Sequence, residues 1–316
     1  MNILAPASSF ETVRIMIKAG ADEIYVGADE EIYNVYSFTG RGKISPASKN
    51  VLCDFGEIKT IVEYAHEKNV RVNFLGNTPF FHDGEWQGEA FEKQYLKYIE
   101  KSLYAGVDSV VIGDIGLLNA VSKQNYDVAL HASLYLKTLN CSQVDFLKSF
   151  GVKRVTLPYH ITMNEISELC SREDMEFEVV GYLGCSFFNG GCSFLHAYGE
   201  GVLGGFAPGV SCKNVYEVLD DRCCSESKIF DCEAACALCS LKSLDENKVT
   251  ALKIVGRDRD HRGTAEVIKL YRQVLDSQGD VNTIIPDWWK RLYCKTLTSC
   301  KYLDTNENYM YLIGVI

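Results

Sequence analysis

The sequence predicts an α/β chain closed as a (βα)8 TIM-like barrel, with a cysteine-rich loop after the seventh strand and a short C-terminal appendage. Three observations carry this expectation. First, three segments echo one another: AGADEIYVG at 19–27, AGVDSVVIG at 105–113 and FGVKRVTLP at 150–158. Each reads as the end of a helix, a glycine, and a short β-branched run. Second, eight such runs alternate with eight amphipathic stretches, a count that favours the barrel, an open doubly wound sheet being the alternative. Third, the 316 residues, 47% of them apolar, suffice for one barrel of about 250 residues with an addition.

The strands fall in order at NILAP (2–6), within 19–27, RVNFLG (71–76), within 105–113, DVALH (127–131), within 150–158, EFEVVG (176–181) and ALKIVG (251–256). Short and mostly apolar, they suit strands buried on both faces. Helices are expected at 9–19, 55–68, 88–105, 115–124, 139–150, 162–171, 233–246 and 263–277, where apolar residues recur at helical spacing. Gly20, Gly106 and Gly151 suit the left-handed position that closes a helix. Two stretches, 28–54 and 182–232, are too long for plain connections. Loops after barrel strands gather at the C-terminal mouth, where sites are built. The barrel domain is therefore placed at 1–276, including a cysteine-rich insertion at 182–240. Residues 277–316, which include DWWKRLYC and YMYLIGVI, form the appendage, packed onto the barrel or used as an oligomer contact through Trp288 and Trp289.

Composition narrows the function. MNILAPASSF has no basic stretch followed by an apolar run of leader length, and no apolar segment approaches the roughly 20 residues of a membrane span. A soluble, cytoplasmic protein is expected. The formal net charge of −10 supplies no general attraction for phosphate backbones, so bulk nucleic acid is a disfavoured partner and a small molecule or a peptide is the expected substrate. Neither HExxH nor GxSxG is present, which leaves a protease without a recognisable nucleophile or zinc site.

Eight of the thirteen cysteines lie from Cys185 to Cys239. In a reducing compartment such clustering favours metal or redox chemistry over structural bridges. Cys185 and Cys192 are seven apart, Cys212 follows twenty later, and Cys236 and Cys239 form a Cys-x-x-Cys pair. Thiolates bind both zinc and iron–sulfur clusters. The wide first spacing, filled with aromatic and glycine residues, differs from the compact knuckles of structural zinc. Elsewhere, Asp114 and His131 sit at the ends of the fourth and fifth strands and are candidates for proton transfer or substrate binding, a satisfied structural histidine being the alternative. Lys253, Arg257 and Arg259, around the end of the eighth strand, form a candidate anion clamp. Alternatively, Lys253 pairs with a barrel acid and the arginines face solvent.

The opening ILAPASSFETVRIMIKAGADEIYVG, then VIGDIG at 111–116, HAS at 131–133, FNGGC at 188–192 and KIVGRDRD at 253–260 together resemble the collagenase-like peptidase family U-32. The resemblance covers about residues 2–276. It implies a barrel-like fold and a 4Fe-4S cluster held by four cysteines, matched here by Cys185, Cys192, Cys212 and Cys236, with Cys239 as the near alternative for the fourth. Cys223, Cys224 and Cys232 are extra to that pattern. The family's members are similar to proteins that hydroxylate ubiquinone precursors or RNA bases without molecular oxygen, with prephenate as the implied oxygen donor. The resemblance therefore implies an iron–sulfur hydroxylase or related redox enzyme; the alternatives are the family's protease label and a non-catalytic, cluster-bearing subunit. Some relatives work in pairs, so a homo-oligomer or a hetero-oligomer with a related subunit is implied. Three departures stand out: HASLY at 131–135 where the family has HASTQ, Tyr159-His160 in place of an Arg-Glu pair, and Val255 in place of the KIEGR glutamate. They remove charge that would position a polar substrate.

Overall fold

The computed structural model describes residues 1–28, 53–77, 89–182, 216–219, 224–227, 236–256 and 260–293. Its centre is a closed eight-stranded parallel barrel. The first part runs β1 (Asn2–Pro6), α1 (Phe10–Lys18), β2 (Glu23–Val26), α2 (Phe55–Glu67), β3 (Arg71–Gly76), α3 (Glu89–Tyr104), β4 (Ser109–Ile112) and α4 (Ile115–Ser122). The second runs β5 (Ala129–Ala132), α5 (Cys141–Lys148), β6 (Val152–Thr156), α6 (Met163–Cys170) and β7 (Glu176–Tyr182), then a hairpin of β8 (Tyr216–Leu219) and β9 (Cys224–Ser227). The chain continues through α7 (Leu241–Glu246), β10 (Ala251–Ile254), α8 (His261–Asp276), α9 (Val281–Ile284) and α10 (Asp287–Tyr293). Around the barrel the order is β1-β10-β7-β6-β5-β4-β3-β2. The eight strand runs predicted from the sequence are these eight barrel strands.

Local chemistry explains the joins. Gly20, Gly106 and Gly151 hold φ of +104°, +88° and +81°, the left-handed turn that lets each helix end and the next strand begin. Ser9, Asp54, Asp114, Asn140 and Thr162 cap their helices by accepting from backbone N–H groups of the first turn. One helix is shorter than expected. The 233–246 stretch yields α7 over Leu241–Glu246, preceded by a single 3-10 turn at Leu238–Ser240.

Alternation sorts each strand into two faces. Ile3, Ile24, Phe74, Ile112, Val155, Val179 and Leu252 point outward into the main core shared with the helices. Leu4, Tyr25, Leu75 and Val111 form a separate apolar cluster inside the barrel. The appendage begins by packing: Trp289 is 1% exposed, with its ring 5.5 Å from Tyr182 and 6.4 Å from Tyr271, while Trp288 is half exposed. No helix among the described residues is long and apolar enough to cross a membrane.

Candidate active site at the barrel mouth

The lumen is charged where such barrels usually carry branched apolar side chains. Glu23 on β2 is fully buried and takes a bidentate pair from Arg154 on β6, at 2.7 and 3.1 Å. It also accepts from Arg71 at 2.5 Å, Asn2 at 2.8 Å and Asn73 at 3.0 Å. Burial alone would push its carboxyl up, but Arg154 and Asn2 hold it down at about 2. Ser109 donates to Asn73 at 2.5 Å, and Arg154 also reaches Glu176. The network climbs toward the mouth through Glu178, which accepts from Thr156 at 3.1 Å and pairs with Lys253 at 3.3 Å.

Lys253 is therefore a lumen residue. Only 8% exposed, it sits between Glu178 and the face of Tyr25, whose ring centroid lies 4.6 Å from Nζ. Pairing with a barrel acid, one of the two sequence readings, is the arrangement observed. Arg257 and Arg259, the rest of the expected clamp, lie outside the described residues.

His131 faces the lumen next to Val111 of β4 and Arg154 of β6. It is 5% exposed, and its Nδ1 has no hydrogen-bond partner. Burial, and then the positive charge of Arg154, lowers its pKa from 6.5 to about 3, so the ring is neutral at physiological pH. The other polar lumen residues Asn73, Ser109, Arg154, Thr156, Glu178 and Lys253 are all hydrogen-bonded. A buried orphan in such a network marks a place for an outside partner. A second orphan stands at the mouth. Asn77, directly after β3, is 8% exposed with an unpartnered Oδ1, and it lies beside Gly113, where an added Cβ would come within 3.0 Å of that oxygen.

Asp114 takes a different position from His131. It follows Gly113 and N-caps α4, accepting from Leu117 N at 2.9 Å. Its charge bears on the buried hydroxyl of Tyr95, which burial already pushes up. The structure thus gathers His131 and Lys253 into the lumen and gives Asp114 a capping role.

Of the four expected cluster ligands, Cys185, Cys192 and Cys212 lie outside the described residues, as do Cys223 and Cys232. Cys236 is described: it is 2% exposed and its backbone forms an antiparallel bridge with Tyr182, at the end of β7. In the sequence, Cys185 follows Tyr182 by three residues, so the expected first ligand is three residues along the chain from the strand end that the expected fourth ligand bridges. An all-thiolate donor set is the kind that iron–sulfur clusters take. Among the described residues no cluster of three or more histidine, cysteine, aspartate or glutamate side chains is arranged as a metal site. Cys239 lies in the 3-10 turn and is partly exposed.

Sequence reasoning missed Glu23, Arg154, Glu178, Asn77 and Tyr25. A signal existed for three of them. A charge within EIYV, VKRVT or EFEVVG, in strands read as buried on both faces, requires a buried partner, and the three strands supply one another's.

Comparison with known proteins adds the family context. The sequence profile of the family described as Peptidase family U32 matches residues 8–310. The 23S rRNA 5-hydroxycytidine C2501 synthase of Escherichia coli is 24% identical over 88% of this chain and 39% of its own length. The tRNA hydroxylation protein P1 of Bacillus subtilis is 25% identical over 96% of this chain and 69% of its own. An uncharacterized protease of Methanocaldococcus jannaschii is 24% identical over 88% of this chain and 65% of its own length. The chain thus spans well under half of the rRNA synthase. Among solved structures, that of the U32 peptidase Mk0906 aligns at a TM-score of 0.42 with 17% identity, over 57% of this chain and 69% of that one.

Proposed function

The chain belongs to peptidase family U32, and from that membership we propose that it is an iron–sulfur enzyme performing oxygen-independent hydroxylation of a base in RNA. The observation that carries the reading is His131, a neutral, buried imidazole with an unpartnered ring nitrogen among hydrogen-bonded lumen residues. Relatives named for hydroxylation of rRNA and tRNA favour a base as the group it meets. This turns against the expectation drawn from the net charge. An acidic protein lacks long-range attraction for RNA but still binds it through local contacts, and a single base presented at the mouth needs only those.

In this reading Cys185, Cys192, Cys212 and Cys236 hold a 4Fe-4S cluster, which supplies electron transfer when bound. The apolar wall of Leu4, Tyr25, Leu75 and Val111 packs the face of the ring and excludes water, while His131 and Asn77 meet its polar edge. Arg257 and Arg259 hold the carboxylates of an acidic oxygen donor such as prephenate, while Lys253 stays paired with Glu178. His131, uncharged, accepts or relays a proton at the ring nitrogen left open by the fold.

Two measurements test this. Anaerobically purified protein is expected to be brown with about four iron and four sulfide per chain; a colourless, zinc-loaded protein removes the cluster. Nucleoside mass spectrometry of RNA from cells with and without the chain is expected to show a hydroxylated base only in the former. Identical RNA in both, with an intact cluster, removes the RNA substrate.

A further inference from the structure

We propose that Tyr271 is the positioning residue that holds Cys236 in ligating position, and the inference rests on the cluster reading above. Tyr271 lies on α8 and is fully buried. Its hydroxyl donates to the carbonyl of Gly181 at 2.6 Å and accepts from the N–H of Ala237 at 3.1 Å. The Ala237 N–H also reaches Gly181 O, at 2.8 Å. One phenol oxygen thereby ties the peptide just after Cys236 to the peptide just before Tyr182, beside the Tyr182–Cys236 bridge. The segment that delivers Cys185 and the segment that carries Cys236 are far apart in the chain, and this knot refers both to one point.

The surroundings leave the knot little slack. The Tyr271 ring is wedged beside Tyr182 at 6.3 Å and Trp289 at 6.4 Å. Behind it, a Cβ added at Gly181 would lie 2.5 Å from the side chain of Leu252, so β7 runs closer to β10 here than any other residue permits. A rigid support of this kind is what orients a metal ligand beyond its own bond to the metal.

Tyr271→Phe keeps the ring and removes the hydroxyl. In the apo protein, reduced and anaerobic, the rate of iodoacetamide alkylation at Cys236, read by mass spectrometry, is expected to rise about five- to tenfold, the equivalent of one lost hydrogen bond. Cys170, buried on α6, serves as the internal reference and is expected to keep its rate. An unchanged Cys236, or a parallel rise at both thiols, overturns the proposal. After reconstitution with ferrous iron and sulfide, the visible absorbance of the variant is expected to bleach severalfold faster under a ferrous chelator than that of the wild type. Equal bleaching overturns the clamp alone; a wild type that takes up no iron overturns the cluster and, with it, the ligand role of Cys236.

Discussion

The two halves of the barrel lumen solve the same packing problem with opposite chemistry. On β1 to β4 the inward side chains Leu4, Tyr25, Leu75 and Val111 make an apolar wall. Across the lumen, β5, β6, β7 and β10 offer His131, Thr156, Glu178 and Lys253, all buried. The boundaries are sharp, since Val111 is the register partner of His131 and Leu4 that of Lys253. Below both halves, Glu23 and Arg154 join the two sides. The apolar half gains stability simply by burial. The polar half is stable only while every charge keeps its partner, and among its described residues His131 keeps an unpartnered ring nitrogen.

Breaking the polar half should cost most. Arg154→Met removes the bidentate partner of the buried Glu23 carboxylate and is expected to destabilise the fold by about 4 kcal/mol in urea unfolding at neutral pH. Part of that loss should return in acid, as the Glu23 carboxylate protonates. Leu75→Ala on the apolar wall is expected to cost about 3 kcal/mol through lost burial and a residual cavity, with no such recovery in acid. Equal pH dependence for the two variants would erase the contrast between the halves.

A third prediction isolates His131. Its folded pKa, about 3, lies below its unfolded value of about 6.5, so between these limits the unfolded chain binds a proton that the folded chain refuses. Stability therefore falls as pH drops below about 6.5, and by pH 5 the loss from this group reaches about 2 kcal/mol. The depressed carboxyl of Glu23 adds its own loss only once the pH falls below the ordinary carboxylate value, so the two are separable. Urea midpoints of His131→Gln should stay level from pH 6.5 to 5 where the wild type declines; parallel curves would mean that His131 is charged in the fold. The smallest effect is expected at Asp114→Ala, about 1 kcal/mol from the lost cap of α4, with the His131 acid step intact. Loss of that step in the Asp114 variant would instead couple Asp114 to the lumen.

Much of the frame is legible along the chain because it is encoded locally. The glycines at 20, 106 and 151 punctuate helix and strand whatever else surrounds them, and the strand runs they introduce are the barrel strands observed. Lys253 and His131 are visible as polar residues at strand ends, and Cys236 as half of a Cys-x-x-Cys pair. Their partners are another matter. Glu23 and Arg154 meet across the lumen from distant parts of the chain, and nothing in the periodicity of either strand says which way the other points. Asp114 shows a second kind of information that only the fold supplies: its carboxylate, at the end of β4, accepts from the first turn of the helix it begins.

The sequence by itself determined the barrel class, the order of its strands, the helix-closing glycines and the cysteine inventory, because each rests on short-range periodicity, turn conformation or residue type. Only the tertiary structure decided that Lys253 pairs with Glu178, that His131 keeps an open nitrogen, and that Cys236 lies against the end of β7 under the hydroxyl of Tyr271. Those facts depend on closure of the sheet, which sets the register between strands far apart in the chain and with it the distance and dielectric in which each charge resides.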